Sequence, residues 1–194
     1  MKVVVALLSL ALAAPALADK TEGLIPGMLI GPKLSVVGFP TPAVGAEAKV
    51  AGWFGLSIDY GYVPNLKVKE VTVGWDNWCA GAKLFPFHGS FFLGALYGQR
   101  SLKLRELDKS SGLYADGRVS SRYLAPELGW RFLWNSGFTM GLDFGWQFVT
   151  GKSTRLTIPQ GYDAQKEKDV QDLSRRVANQ GVPVLGLLEL GWMF

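Results

Sequence analysis

The chain ends on VPVLGLLELGWMF, residues 182–194, and the character of this stretch alternates residue by residue. Val182, Val184, Gly186, Leu188, Leu190, Trp192 and Phe194 share one parity. Pro183, Leu185, Leu187, Glu189, Gly191 and Met193 share the other. A strand sends successive side chains to opposite faces, so this is a strand with an apolar face that closes on an aromatic. A soluble domain can bury such a strand anywhere. Its meaning here depends on what precedes it.

The other end of the chain has the pattern of an export signal. Met1 and Lys2 supply a positive start, residues 3–14 an apolar core, and Ala16, Leu17 and Ala18 a small-residue cleavage pattern before Asp19. That is the layout of a cleaved signal peptide over residues 1–18, too short and wrongly flanked for an anchor helix. The predicted mature part, residues 19–194, has the length of one domain. Without Lys2 it carries 19 basic and 16 acidic residues, too even a balance for a dedicated nucleic-acid binder. The single cysteine, Cys79, excludes an internal disulfide framework and reads as a small, outward-lying wall residue. No later run of 18 apolar residues exists to form a transmembrane helix. Yet the chain is 12% aromatic, contains 24 glycines and has a mean hydropathy of +0.17. A closed β-barrel reconciles these facts, because lipid-facing residues then occupy only alternate positions.

Eight segments with period-two patterning follow one another: 28–38, 43–51, 54–64, 70–86, 91–104, 119–134, 138–151 and 182–194. The clearest sets Phe138, Met140, Leu142, Phe144, Trp146 and Phe148 against Thr139, Gly141, Asp143, Gly145 and Gln147. Leu56, Ile58, Tyr60 and Tyr62 likewise oppose Gly55, Ser57, Asp59 and Gly61. Asp76 and Trp78 share a parity, which predicts a bulge or a register change within 70–86. Short turns at 52–53, 87–90 and 135–137 alternate with longer connections at 40–42, 65–69, 105–118 and 152–181. The predicted fold is therefore an eight-stranded antiparallel transmembrane β-barrel with short turns at one end and external loops at the other. Within the last loop, residues 163–178 predict a short helix, with Val170, Leu173 and Val177 at spacings of three and four. A lipocalin-like soluble barrel is the rival, but it would turn apolar side chains inward.

Parity turns ten charges inward instead: Lys33, Lys49, Lys83, Arg100 and Arg131 against Glu47, Asp59, Glu127, Asp143 and Glu189. Charges in so narrow a space require partners, and eight strands enclose room for side chains rather than a channel. The expected product is a plugged lumen filled by ion pairs. Enzyme signatures are missing. His88, the single histidine, falls in a short turn, and the chain has no HExxH, CxxC, P-loop or GxGxxG. No catalytic residue, cofactor or metal ligand is predicted.

The cleavage pattern at Ala16, Leu17 and Ala18, the strand at residues 91–98 and the terminal strand together resemble the small OmpA/OmpX-type outer-membrane barrels, without a peptidoglycan-binding domain. The resemblance implies location in the bacterial outer membrane. It also implies that the outer-membrane assembly machinery recognises Leu190, Trp192 and Phe194. The expected role is structural or surface-interacting, with a narrow pore as the alternative and a lipid-modifying enzyme as a remoter one. Outer-membrane lipids are the expected partners, with lipopolysaccharide a candidate. The connections 103–118 and 152–176, which include Arg175 and Arg176, hold ten basic and seven acidic residues.

Overall fold

The computed structural model describes residues 25–37, 41–68, 71–108, 113–157 and 183–194. The predicted signal peptide and the predicted helix at 163–178 lie outside the described residues. Nine strands appear among the described residues: β1 (Met28–Val37), β2 (Thr41–Val50), β3 (Phe54–Val68), β4 (Val71–Leu84), β5 (Phe91–Asp108), β6 (Leu113–Leu133), β7 (Phe138–Trp146), β8 (Phe148–Thr157) and β9 (Pro183–Trp192). Each pairs antiparallel with its neighbours, and β7 and β8 form one stave interrupted at Gln147. Because β5 pairs with β6 and β1 with β9, the sheet closes into a ring of eight staves. Closure removes the unpaired edges that a flat sheet would expose.

The closing seam carries the chain's last residue. Phe194 N–H donates to the Ile30 carbonyl at 3.0 Å, and Ile30 N–H donates to the Phe194 carbonyl at 3.3 Å. Lys33 then faces Gly191, and Leu34 faces Leu190. Trp192 and Phe194 are exposed on the outer wall, whereas Glu189 and Met193 are buried inside. The alternation of 182–194 does not run unbroken, however. Glu189 opposes Gly141 but Gly186 opposes Asp143, so β9 carries one extra residue between them and its parity changes there.

Asp76 and Trp78 share the outer face, and the expected register change falls beside them: Val63 of β3 faces Trp75 but Leu66 faces Val73, so β3 carries an extra residue there, while β4 pairs with β5 without any shift. Asp76 stands level with Tyr62 and has Lys103 on β5 at 4.0 Å. Two further expectations need correction. Cys79 faces inward and is fully buried, since its parity is that of Asn77 and Lys83. Lastly, the connection at 105–118 is mostly strand: β5 runs to Asp108 and β6 begins at Leu113. Hydropathy stops alternating once both faces of a strand are wet, while the backbone ladder continues. Period-two patterning therefore marks only the part of a strand that separates two solvents.

Two end features set the geometry of the site. The short turns cluster at one end, where Ala51 (φ 51°) and Gly52 (φ 73°) form a left-handed pair in the three-residue connection between β2 and β3. At the other end β5, β6 and β8 continue beyond the closed ring as a sheet extension, with β8 pairing only to β6 among the described strands.

Candidate functional site in the barrel interior

The inner wall alternates charge with glycine. Lys49, Gly55, Lys83, Gly94, Glu127 and Gly145 stand opposite one another in turn across β2, β3, β4, β5, β6 and β7. The same rule places Gly45 beside Asp59, and Gly141 beside both Arg131 and Glu189. A long charged side chain must lie across the lumen, over its neighbour's position. Any Cβ added at Gly141 would strike the Arg131 guanidinium, and one at Gly94 would meet Glu127 Oε1 at 3.0 Å. Small residues thus make the space that large ones fill.

All ten inward charges named from the sequence are buried, none more than 6% exposed. Their grouping is uneven. Seven of them meet in one central layer. Lys33 lies 2.9 Å from Asp59 and 3.5 Å from Glu189. Lys83 lies 3.3 Å from Asp143, 3.8 Å from Glu189 and 3.9 Å from Glu47. Arg131 contacts Glu189 directly and reaches Glu47 at 3.3 Å and Asp143 at 3.6 Å. Ser35 donates to Asp59 at 3.0 Å, so this carboxylate is held from two sides.

The other three share none of these contacts. Lys49 lies 4.8 Å from the centre of the Phe85 ring, towards the turn end. Arg100 donates to Gln147 at 3.1 Å, towards the loop end. Both oxygens of Glu127 are buried and accept no hydrogen bond among the described residues.

Sequence parity did not reveal the apolar layers that bracket these charges. Leu29, Leu133 and Met193 cluster at the turn end, with the Phe85 and Phe92 rings 5.8 Å apart. Above the charges come Ala43, Cys79, Leu96, Tyr123 and Ala125, where the Tyr123 hydroxyl donates to Asn77 at 3.1 Å. Leu102 and Val119 cap the loop end, with Val73, Trp75 and Leu104 against them. Cys79 aside, their inward parity was readable, but an apolar residue on a polar face gives no pattern until its layer mates across the barrel are known.

The chain is similar to CarO of Acinetobacter baumannii. The crystal structure of that protein matches with a TM-score of 0.49 at 16% identity, covering 89% of this chain and 99% of the other. The crystal structure of A. baumannii CarO2 matches with a TM-score of 0.42 at 12% identity, covering 86% and 97%. No family model matches the chain, and no curated protein does.

Among the described residues no group of three or more His, Cys, Asp or Glu is arranged to hold a metal ion. His88 sits exposed in the turn after Phe85, its ring edge-on to Trp53 with centroids 3.8 Å apart. It is at the far end of the barrel from β8 and the sheet extension. The residues of the terminal strand named from the sequence lie at the seam, with Leu190 half-buried and Trp192 and Phe194 exposed.

Proposed function

We propose that this protein is a bacterial outer-membrane β-barrel whose filled, charge-paired interior serves structure and surface presentation rather than passage or catalysis. The observation that carries the reading is the inverted polarity of its wall. Outward residues of β3 run Phe54, Leu56, Ile58, Tyr60 and Tyr62, each at least half exposed, while Ser57, Asp59 and their inward neighbours are buried. From Phe54 to Tyr62 is about 26 Å along the strand, or about 20 Å of height at the usual barrel tilt. A continuous apolar band of that height is unstable in water and suits a thin bilayer.

Aromatic girdles support the same placement. At the turn end, ring contacts link Phe87, Phe91, Trp130 and Phe144, and separately Phe132, Trp134, Phe138 and Trp192. At the loop end stand Tyr62, Trp78 and Tyr97. Short turns on one side and extended strands on the other fit periplasmic and external ends respectively. In this reading the exposed aromatics at the seam, Trp192 and Phe194 with Leu190, are what the assembly machinery recognises.

The reading predicts faster gel migration of unheated protein than of boiled protein. It also predicts liposome-swelling rates with small sugars at the protein-free background. Swelling above background would reject the filled interior. A narrow conducting path is the second reading, and Glu127 favours it as a buried carboxylate with no hydrogen-bond partner among the described residues. Conductance steps in planar bilayers that grow in Glu127→Ala would establish that path; silence in both proteins would remove it.

A further inference from the structure

Above the apolar band, the outer wall of β5, β6 and β8 changes character rung by rung. The rung formed by Tyr97, Leu124 and Phe148 is apolar and exposed. Next along the strands come Gln99, Arg122 and Gly151, then Ser101, Ser120 and Ser153, then Lys103, Arg118 and Arg155. Successive rungs on one face are about 7 Å apart along a strand. Arg122 therefore stands about 7 Å, and the Arg118 rung about 20 Å, past the last apolar rung. An open groove of about 540 Å³ lies here, lined by Arg118, Arg122, Lys152 and Arg155 with Ser120 and Ser153 between them.

The last rung is unfavourable by itself. Arg118 directly opposes Lys103 on one side and Arg155 on the other, and like charges directly opposite weaken a sheet. Lys103 has Asp76 at 4.0 Å as partial compensation. Arg118, Arg122 and Arg155 form no ion pair with any described residue, and no acidic residue lines the groove. Ser101 and Ser120 share a hydroxyl contact of 3.1 Å between the two cationic levels, so their hydroxyls are held on this face. Guanidinium groups in pairs, flanked by hydroxyl donors, match the oxygens of a phosphate.

We propose that this groove binds the phosphorylated headgroup of an anionic outer-leaflet glycolipid, with the acyl chains lying down the adjoining apolar rungs. The assignment rests on the outer-membrane reading above. It chooses a lipid over a soluble anion because the cationic levels begin one rung beyond the lipid-facing wall. A lipid anchored there brings its phosphate to Arg122 and Arg118 without leaving the bilayer.

The test uses the full chain in mild detergent, with native mass spectrometry of bound bis-phosphorylated lipid A, its dephosphorylated form and inorganic phosphate. Wild type is expected to retain bis-phosphorylated lipid A at least tenfold better than the dephosphorylated form, and inorganic phosphate is expected not to displace it at equal concentration. The double variant Arg118→Ser, Arg155→Ser should lose retention about tenfold, and Arg122→Ser should lose it in part. Lys67→Ser, on exposed β3 wall away from the groove, should match wild type.

Equal retention of the two lipid forms, displacement by inorganic phosphate, or an equal loss in Lys67→Ser would each overturn the proposal. The comparison of lipid forms needs wild type alone, so a double variant that fails to fold leaves the test standing. Heat-modifiable migration is read on the same sample. If it is present while lipid retention ignores phosphate, the groove assignment fails alone. If it is absent, the membrane reading fails and takes the assignment with it.

Discussion

Glu127 and Arg131 sit four residues apart on one inner face and have opposite surroundings. Arg131 touches Glu47, Asp143 and Glu189 at once. Replacing it with methionine leaves three carboxylates facing one another with Lys83 and Lys33 alone to balance them. A loss of about 3–5 kcal/mol is expected, read as a lower urea midpoint in detergent micelles. Glu127 accepts no hydrogen bond among the described residues, so Glu127→Gln removes a buried charge and breaks no observed bond. Its urea midpoint is expected to equal or exceed that of wild type. A drop as large as that of Arg131→Met would mean Glu127 is paired after all. Ala51 offers a test of backbone strain at the same scale. It holds φ 51° beside Gly52, a region where a Cβ is unfavourable by about 1 kcal/mol. Ala51→Gly should therefore stabilise the hairpin by up to about 1 kcal/mol, and Ala51→Val should destabilise it. The same midpoint measurement ranks all three.

At the scale of the strand, β9 matters for how it ends. Its seam with β1 includes the reciprocal hydrogen bonds between Phe194 and Ile30, made by the backbone and not by the ring. Phe194→Ala keeps both bonds, whereas deleting Phe194 removes them and moves the chain terminus along the seam. Deletion should reduce the heat-modifiable fraction in membranes more than the alanine variant does. Equal loss in the two would place the whole effect in the ring and point to recognition during assembly. Neighbouring Gly31 shows how tight this seam is, because a Cβ there would run into the Trp192 carbonyl. Gly31→Val is therefore expected to prevent closure and leave no heat-modifiable band. The strands at the other end behave differently: β5 and β6 continue to Asp108 and Leu113 on backbone pairing and surface charge, including Arg105 and Asp116 at 3.5 Å. Exposed pairs of that kind contribute little, so the ladder itself carries the extension.

For the whole molecule, the interior is a stack in which apolar layers lie on either side of the central ion pairs. Weakening one layer leaves the others in place. Bilayers containing Lys83→Met are thus expected to stay as silent as wild type, since Phe85, Phe92 and Tyr123 still fill the bore; steps in that variant would locate the seal in the charges. The sequence alone was enough for the strand count, the inward or outward parity of Leu56, Asp59, Phe144 and Arg131, and the ten buried charges, because each stave separates an apolar from a polar solvent and writes that difference with period two. From Arg105 onward the period vanished although the backbone ladder continues, and strand was taken for loop. Bulges were legible only in part: the register change beside Asp76 was expected, the one in β9 was not. The extra residues in β3 and β9 are defined against a partner strand, and no single segment carries that information. Which cation meets which carboxylate, that Glu127 stands apart, and that Arg118 faces Arg155 across a groove were decided by register and closure. Those features are distances between staves far apart in the chain, and such distances exist only once the ring has closed.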